Sequence, residues 1–163
     1  MKPEAAFDEY HRAVYSFAYR LTGRADVAED ITQECFLALV RAPRRFDEAR
    51  GTMKTYLFSI ARNLALKQYR DQRLESQPES EPGADPSKTM ESSSAVAKAV
   101  AALPLLQQEA LILFEYEGVT LEEIAGIVGT DVGTVKSRLH RARNGLRRML
   151  APYRKAGRTY GTV

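Results

Sequence analysis

The chain has 163 residues, 44% hydrophobic and 28% charged, which is enough apolar content to bury cores and excludes a wholly disordered protein. Its one cysteine, Cys35, excludes an intramolecular disulfide, and two separated histidines without cysteine partners give no metal-ligand spacing. No apolar run reaches the roughly 18 residues of a membrane span and no signal-peptide pattern is present, so a cytoplasmic protein without membrane insertion is expected.

In chain order, Phe7, Tyr10, Val14, Phe17, Ala18 and Leu21 recur at three- and four-residue spacing and predict a first helix ended by Gly23. Asp26, with Glu29 three residues on, is expected to cap a second helix whose stripe is Val27, Ile31, Cys35 and Leu39, closed by Pro43. Cys35 lies on that apolar stripe and reads as a buried, inert thiol. After a basic, turn-prone stretch, Met53, Tyr56, Leu57, Ile60, Ala61 and Leu64 mark the face of a third helix. Arg62, Lys67, Arg70 and Arg73 fall mostly off it. Residues 75–94 carry prolines, serines and acids with little apolar content, and cannot offset the cost of ordering their backbone. They are expected to be a flexible acidic linker reaching about 65 Å when extended.

Beyond it, Ala95 to Ala102 and a segment opening at Leu103-Pro104 predict two more helices, the second ended by Gly118. Thr120 to Glu123 forms a capping box before Leu121, Ile124, Ala125 and Val128, and Gly129 ends that helix. Asp131 then caps a helix in which Val135, Leu139, Ala142, Leu146 and Met149 face inward. Thr134, Lys136, Ser137, Arg138, Arg141 and Arg143 are left on outward faces. Two capped helices joined by a glycine turn, with Ala125 small enough for close crossing, describe a helix-turn-helix that reads the DNA major groove. From Lys136 onward there are nine Lys/Arg and no Asp/Glu, a separated basic block suited to phosphates. No strand periodicity occurs. The expected fold is therefore all-α: two small helical domains, 1–74 and 95–151, joined by the acidic linker, with a short basic tail at 152–163.

These residues leave three kinds of protein open: a reader of two separate DNA sites, a stand-alone helix-turn-helix regulator, and a module whose basic face binds an acidic protein. The run from Gly133 to Arg143, Glu123-Ile-Ala125 and Leu103-Pro104 resemble region 4 of extracytoplasmic-function (ECF) bacterial sigma factors. The run from Ala28 to Phe36 resembles region 2.2 of that family, and Tyr56 to Leu64 resembles its regions 2.3 and 2.4. The resemblance implies a non-enzymatic alternative sigma factor that binds core RNA polymerase, through its β′ and β subunits, and promoter DNA. It implies that Asp30, Gln33, Glu34 and Leu37 dock on the polymerase β′ coiled coil. Asn63 would capture a base of the −10 element, with Arg62, Lys67, Arg70 and Arg73 holding the DNA backbone. Thr134, Lys136, Ser137, Arg138, Arg141 and Arg143 would contact the −35 element. An anti-sigma factor is the implied regulatory partner; no cofactor and no metal are implied. Two positions depart from the family pattern: Tyr56 replaces the usual Trp, and Gln108 stands where many members carry an arginine expected to reach −35 DNA.

Overall fold

The computed structural model describes residues 2–75 and 94–156, and the described residues form seven α-helices and no strand. Three make the first domain: α1 (Pro3–Thr22), α2 (Ala25–Arg41) and α3 (Met53–Glu75). Four make the second: α4 (Ala95–Ala101), α5 (Leu105–Leu111), α6 (Leu121–Val128) and α7 (Val132–Ala156). Most of the expected linker, residues 76–93, lies outside the described residues, as does the end of the basic tail.

In the first domain the helical stripes meet as their spacing demands. Phe17 of α1 and Phe58 of α3 are both fully buried, with ring centroids 5.2 Å apart. Cys35 of α2 is buried beside them, its Sγ 3.9 Å from the Leu57 carbonyl, and burial pushes its thiol pKa up to about 12. A thiol so protonated is a poor nucleophile, which fits a packing role. Tyr56, at the family's usual tryptophan position, is partly buried with its ring 5.4 Å from that of Phe46.

The start of α2 differs from the sequence expectation. The helix begins at Ala25 with Arg24 as its N-cap, and no side chain caps it. Asp26 therefore sits inside the first turn, where it pairs with Arg24 at 3.0 Å, and no capping box with Glu29 forms. The hydrogen bond from Arg24 holds the Asp26 carboxyl below the usual carboxylate range. A carboxylate in a first turn also complements the helix dipole, so the position favours an acid without needing it as a cap.

In the second domain Ser94 caps α4, its Oγ accepting from the Ala97 amide at 3.2 Å. Helix α5 passes into one π-type turn, Ile112–Tyr116, which closes through the Glu117 amide on the Ile112 carbonyl. Helix α7 runs on through Ala156 with Pro152 inside it, five residues past the point where the sequence reading closes the domain. The two domains also pack together: α1 and α3 meet α5, α6 and the π-type turn, and the buried apolar residues of both belong to one continuous cluster. The two separate blocks expected from the linker composition are thus in direct contact.

Candidate nucleic-acid interface

Helix α6, the turn at residues 129–131 and α7 form the helix-turn-helix. Thr120 Oγ1 accepts from the Glu123 amide at 3.2 Å, and Glu123 Oε1 accepts from the Thr120 amide at 3.2 Å, closing the box read from the sequence. Gly129 has φ 72°, the left-handed conformation that a Cβ disfavours. Asp131 Oδ1 accepts from the Thr134 amide at 2.7 Å, and this bond holds the carboxyl below its ordinary range. Val135, Leu139 and Ala142 of α7 are buried, while Leu146 and Met149 are partly buried. Gly145 belongs to the same close packing, since a Cβ there would stand 2.9 Å from Leu103 Cδ2. These contacts fix the rotation of α7 about its axis.

That rotation exposes Lys136, Ser137, Arg141 and Arg143 and leaves Thr134 and Arg138 half-exposed. The cations differ in their neighbours. Lys136 and Arg141 have no protein partner among the described residues. Arg143 donates to Glu115 Oε1 at 3.0 Å, and its guanidinium lies 5.6 Å from the centre of the Phe114 ring. Farther along, Asn144 lies 3.2 Å from His140 Nε2 and accepts from Arg147 at 3.0 Å.

Asp30, Gln33, Glu34 and Leu37 are all exposed on one face of α2, as i, i+3, i+4 and i+7 spacing requires. The structure adds Val40 to this face, 57% exposed, with Leu37 40% exposed and Phe7 of α1 beside Phe36. Sequence reasoning missed Val40 because a single valine near a helix end carries no periodic signal. On α3, Asn63, Lys67 and Arg70 are exposed and fall at i, i+4 and i+7. Arg73 follows on the same helix.

Arg62 is placed differently. Only 15% exposed, it donates through two nitrogens to both oxygens of Glu109 on α5, at 2.9 and 3.0 Å, and the Glu109 side chain is 0% exposed. Gln108 is buried beside it and donates to the Arg20 carbonyl at 3.3 Å, which puts it in the domain interface and not on the basic face of α7. The neutral side chain that replaces the family's arginine is thus engaged in a contact between the domains. Lys54 Nζ donates to the Glu117 carbonyl at 3.0 Å, and the Arg20 guanidinium sits 4.1 Å above the Tyr116 ring. Burial raises the Glu117 carboxyl pKa, against the opposing pull of Lys54 and Arg20. The signal that could have exposed this interface is Glu109 itself, an acid leading directly into the apolar run Ala110 to Phe114.

Among the described residues no group of three or more His, Cys, Asp or Glu is placed to hold a metal, and no helix is long and apolar enough to cross a membrane. What the geometry presents is a capped helix-turn-helix with an exposed basic face and, on a separate domain, a second polar and basic helix face.

The comparisons with known proteins agree with that geometry. Residues 6–75 match the family model for sigma-70 region 2, and residues 93–146 match sigma-70 region 4. The ECF RNA polymerase sigma factor SigE of Mycolicibacterium smegmatis is 38% identical over 86% of this chain, which spans 58% of that relative's length. EcfG of Rhodopseudomonas palustris is 37% identical over 83% of this chain and 77% of its own. SigL of Mycobacterium tuberculosis (strain H37Rv) is 32% identical over 88% and 85%. Among solved structures, the sigma factor RpoE in complex with the anti-sigma factor NepR from Bartonella quintana superposes with a TM-score of 0.74 at 29% identity, covering 91% of this chain and 96% of that one. CnrH, solved with the cytosolic domain of CnrY, shares the fold at a TM-score of 0.71 and 23% identity, covering 92% of this chain and 88% of that one. Fold and helix faces together define a two-domain transcription factor of the sigma-70 class. The chain belongs to the ECF sigma factors, alternative sigma factors that direct promoter-specific transcription.

Proposed function

We propose that this chain is a dissociable specificity subunit of bacterial RNA polymerase whose two domains, 1–74 and 95–151, serve two promoter elements. The α2 face of Asp30, Gln33, Glu34 and Leu37 docks on the polymerase β′ coiled coil, with Val40 extending its apolar part. Asn63 accepts an unstacked base of the −10 element through its amide, and Lys67, Arg70, Arg73 and Arg62 hold the neighbouring phosphates. Thr134, Lys136, Ser137, Arg138, Arg141 and Arg143 carry the −35 contact, the N-terminal part of α7 entering the major groove. The acidic linker at 75–94 spans between the two sites through the polymerase, and the basic tail at 152–163 adds to the positive charge of the C-terminal block. The polymerase performs the chemistry, so the chain itself has no catalytic role, and it acts in the cytoplasm.

The observation that carries this reading is the pairing of two exposed faces in one chain: Asn63, Lys67 and Arg70 on α3, and a basic recognition helix whose rotation is fixed by its core. A stand-alone regulator would need only the second. An anti-sigma factor is the expected regulator, by similarity to RpoE of Bartonella quintana, which was solved in complex with NepR. The test mixes the purified chain with core polymerase and a library of promoter fragments. Co-elution with core and promoter-dependent run-off transcripts are expected; a chain that binds DNA but neither co-elutes nor supports transcripts would be a free-standing regulator.

A further inference from the structure

As a −10 contact Arg62 would hold a phosphate, yet in the structure it holds Glu109. The two ligands are chemically alike. A carboxylate and a phosphodiester both offer paired anionic oxygens that a guanidinium grips with two parallel hydrogen bonds. Arg62 already makes both bonds, at 2.9 and 3.0 Å, to an acid with no exposure to solvent. It also directly precedes Asn63, the residue assigned to base capture. A phosphate cannot take this two-pronged grip until Glu109 has withdrawn, and Glu109 is carried by the other domain.

We propose that Arg62 and Glu109 form an intramolecular latch that closes the free sigma factor, with Glu109 standing in for a phosphate of the −10 strand. This inference rests on the assignment of Arg62 to −10 DNA. Around the latch, the shared apolar cluster and three further contacts set the docking of the domains: Gln108 on the Arg20 carbonyl, Lys54 on the Glu117 carbonyl, and Arg20 over the Tyr116 ring. The three contacts use neutral acceptors or a ring face and orient the domains without competing for a DNA-binding cation. The ion pair is the contact through which DNA and closure exclude each other. Closure holds the two domains in direct contact, whereas reading two promoter elements requires them apart by the reach of the linker. Before any anti-sigma factor binds, the chain thus guards part of its own −10 surface, and engagement of polymerase and promoter must release Glu109.

Two readouts on the 163-residue chain separate the latch from the DNA assignment. The first is the radius of gyration by X-ray scattering. The wild-type chain should be compact, near the roughly 15 Å expected for its length, and Glu109→Ala should move it above about 20 Å as the domains part. Removing one partner of a buried, hydrogen-bonded charge pair shifts such an equilibrium by about 30-fold or more. The exchanged pair, Arg62→Glu with Glu109→Arg, should restore compactness, and circular dichroism checks that every variant keeps its helix content. A Glu109→Ala chain that is helical and still compact overturns the latch, as does an exchanged pair that is helical and open.

The second readout is affinity for a random-sequence 20-nucleotide single strand at low salt. Because closure lowers apparent affinity by the fraction of open chains, Glu109→Ala should bind about tenfold more tightly. Adding Arg62→Gln should abolish that gain. Should Glu109→Ala open the chain with no gain in affinity, the assignment of Arg62 to DNA falls, and with it the phosphate mimicry, while the ion pair survives as a structural closure.

Discussion

The cations on α7 are expected to contribute unequally to −35 binding, because the structure has already committed one of them. At counterion release of about 0.9 per phosphate contact, losing one contact costs about eightfold in affinity at 0.1 M salt relative to 1 M. Lys136→Ala and Arg141→Ala should each show this full loss, since neither side chain has a protein partner among the described residues. Arg143 must first leave Glu115, to which it is bonded at 3.0 Å with both side chains about half exposed. An exposed ion pair is worth about 0.2–1 kcal/mol, or roughly 1.4- to 5-fold, so Arg143→Ala should cost only about two- to sixfold. Glu115→Gln should correspondingly tighten binding, by up to about fivefold. Fluorescence anisotropy on a duplex selected by the chain from a random pool, repeated across a salt series, measures both the loss and the slope. The log–log slope should fall by about one for each free cation removed. An Arg143→Ala chain that loses as much as Arg141→Ala, or a Glu115→Gln chain with unchanged affinity, would refute the view that Glu115 taxes this contact.

Three further outcomes follow from the helix-turn-helix. Leu139→Ala, at a side chain 3% exposed, should destabilise the second domain by about 2–5 kcal/mol in urea denaturation, with DNA affinity lost only in proportion to unfolding. Gly129→Ala should cost about 1–2 kcal/mol through backbone strain alone, since φ is 72° and nothing lies within 4 Å of the added Cβ; an unchanged melting temperature would contradict that. Asp131 has a folded-state pKa lowered by its bond to the Thr134 amide, so its contribution to stability is present above the ordinary carboxylate pKa and is lost as pH falls through the depressed value. Asp131→Asn keeps a capping oxygen but cannot titrate. Thermal melts of the two chains from neutral to acidic pH should therefore diverge at the acid end, and parallel curves would exclude the cap as the source.

Local chemistry made the helix-turn-helix legible in the sequence. The Thr120–Glu123 box, Gly129 and the Asp131 cap act within four residues of themselves, and the spacing of Val135, Leu139 and Ala142 fixes which face of α7 turns inward. The same periodicity placed Asp30, Gln33, Glu34 and Leu37 on one exposed face of α2, and Asn63, Lys67 and Arg70 on one exposed face of α3. It misjudged Asp26 because a cap and a first-turn acid differ by a shift of one or two residues, which sequence alone does not resolve. The partners of Arg62, Gln108 and Arg143 could not be read in this way. Glu109 is 47 residues from Arg62 in the chain, and Arg20 is 88 from Gln108. Helix periodicity says which side chains leave the core of their own domain. Only docking of one domain on the other decides whether such a side chain meets water, a phosphate or a buried carboxylate, because a long-range ion pair leaves no repeating pattern along the chain.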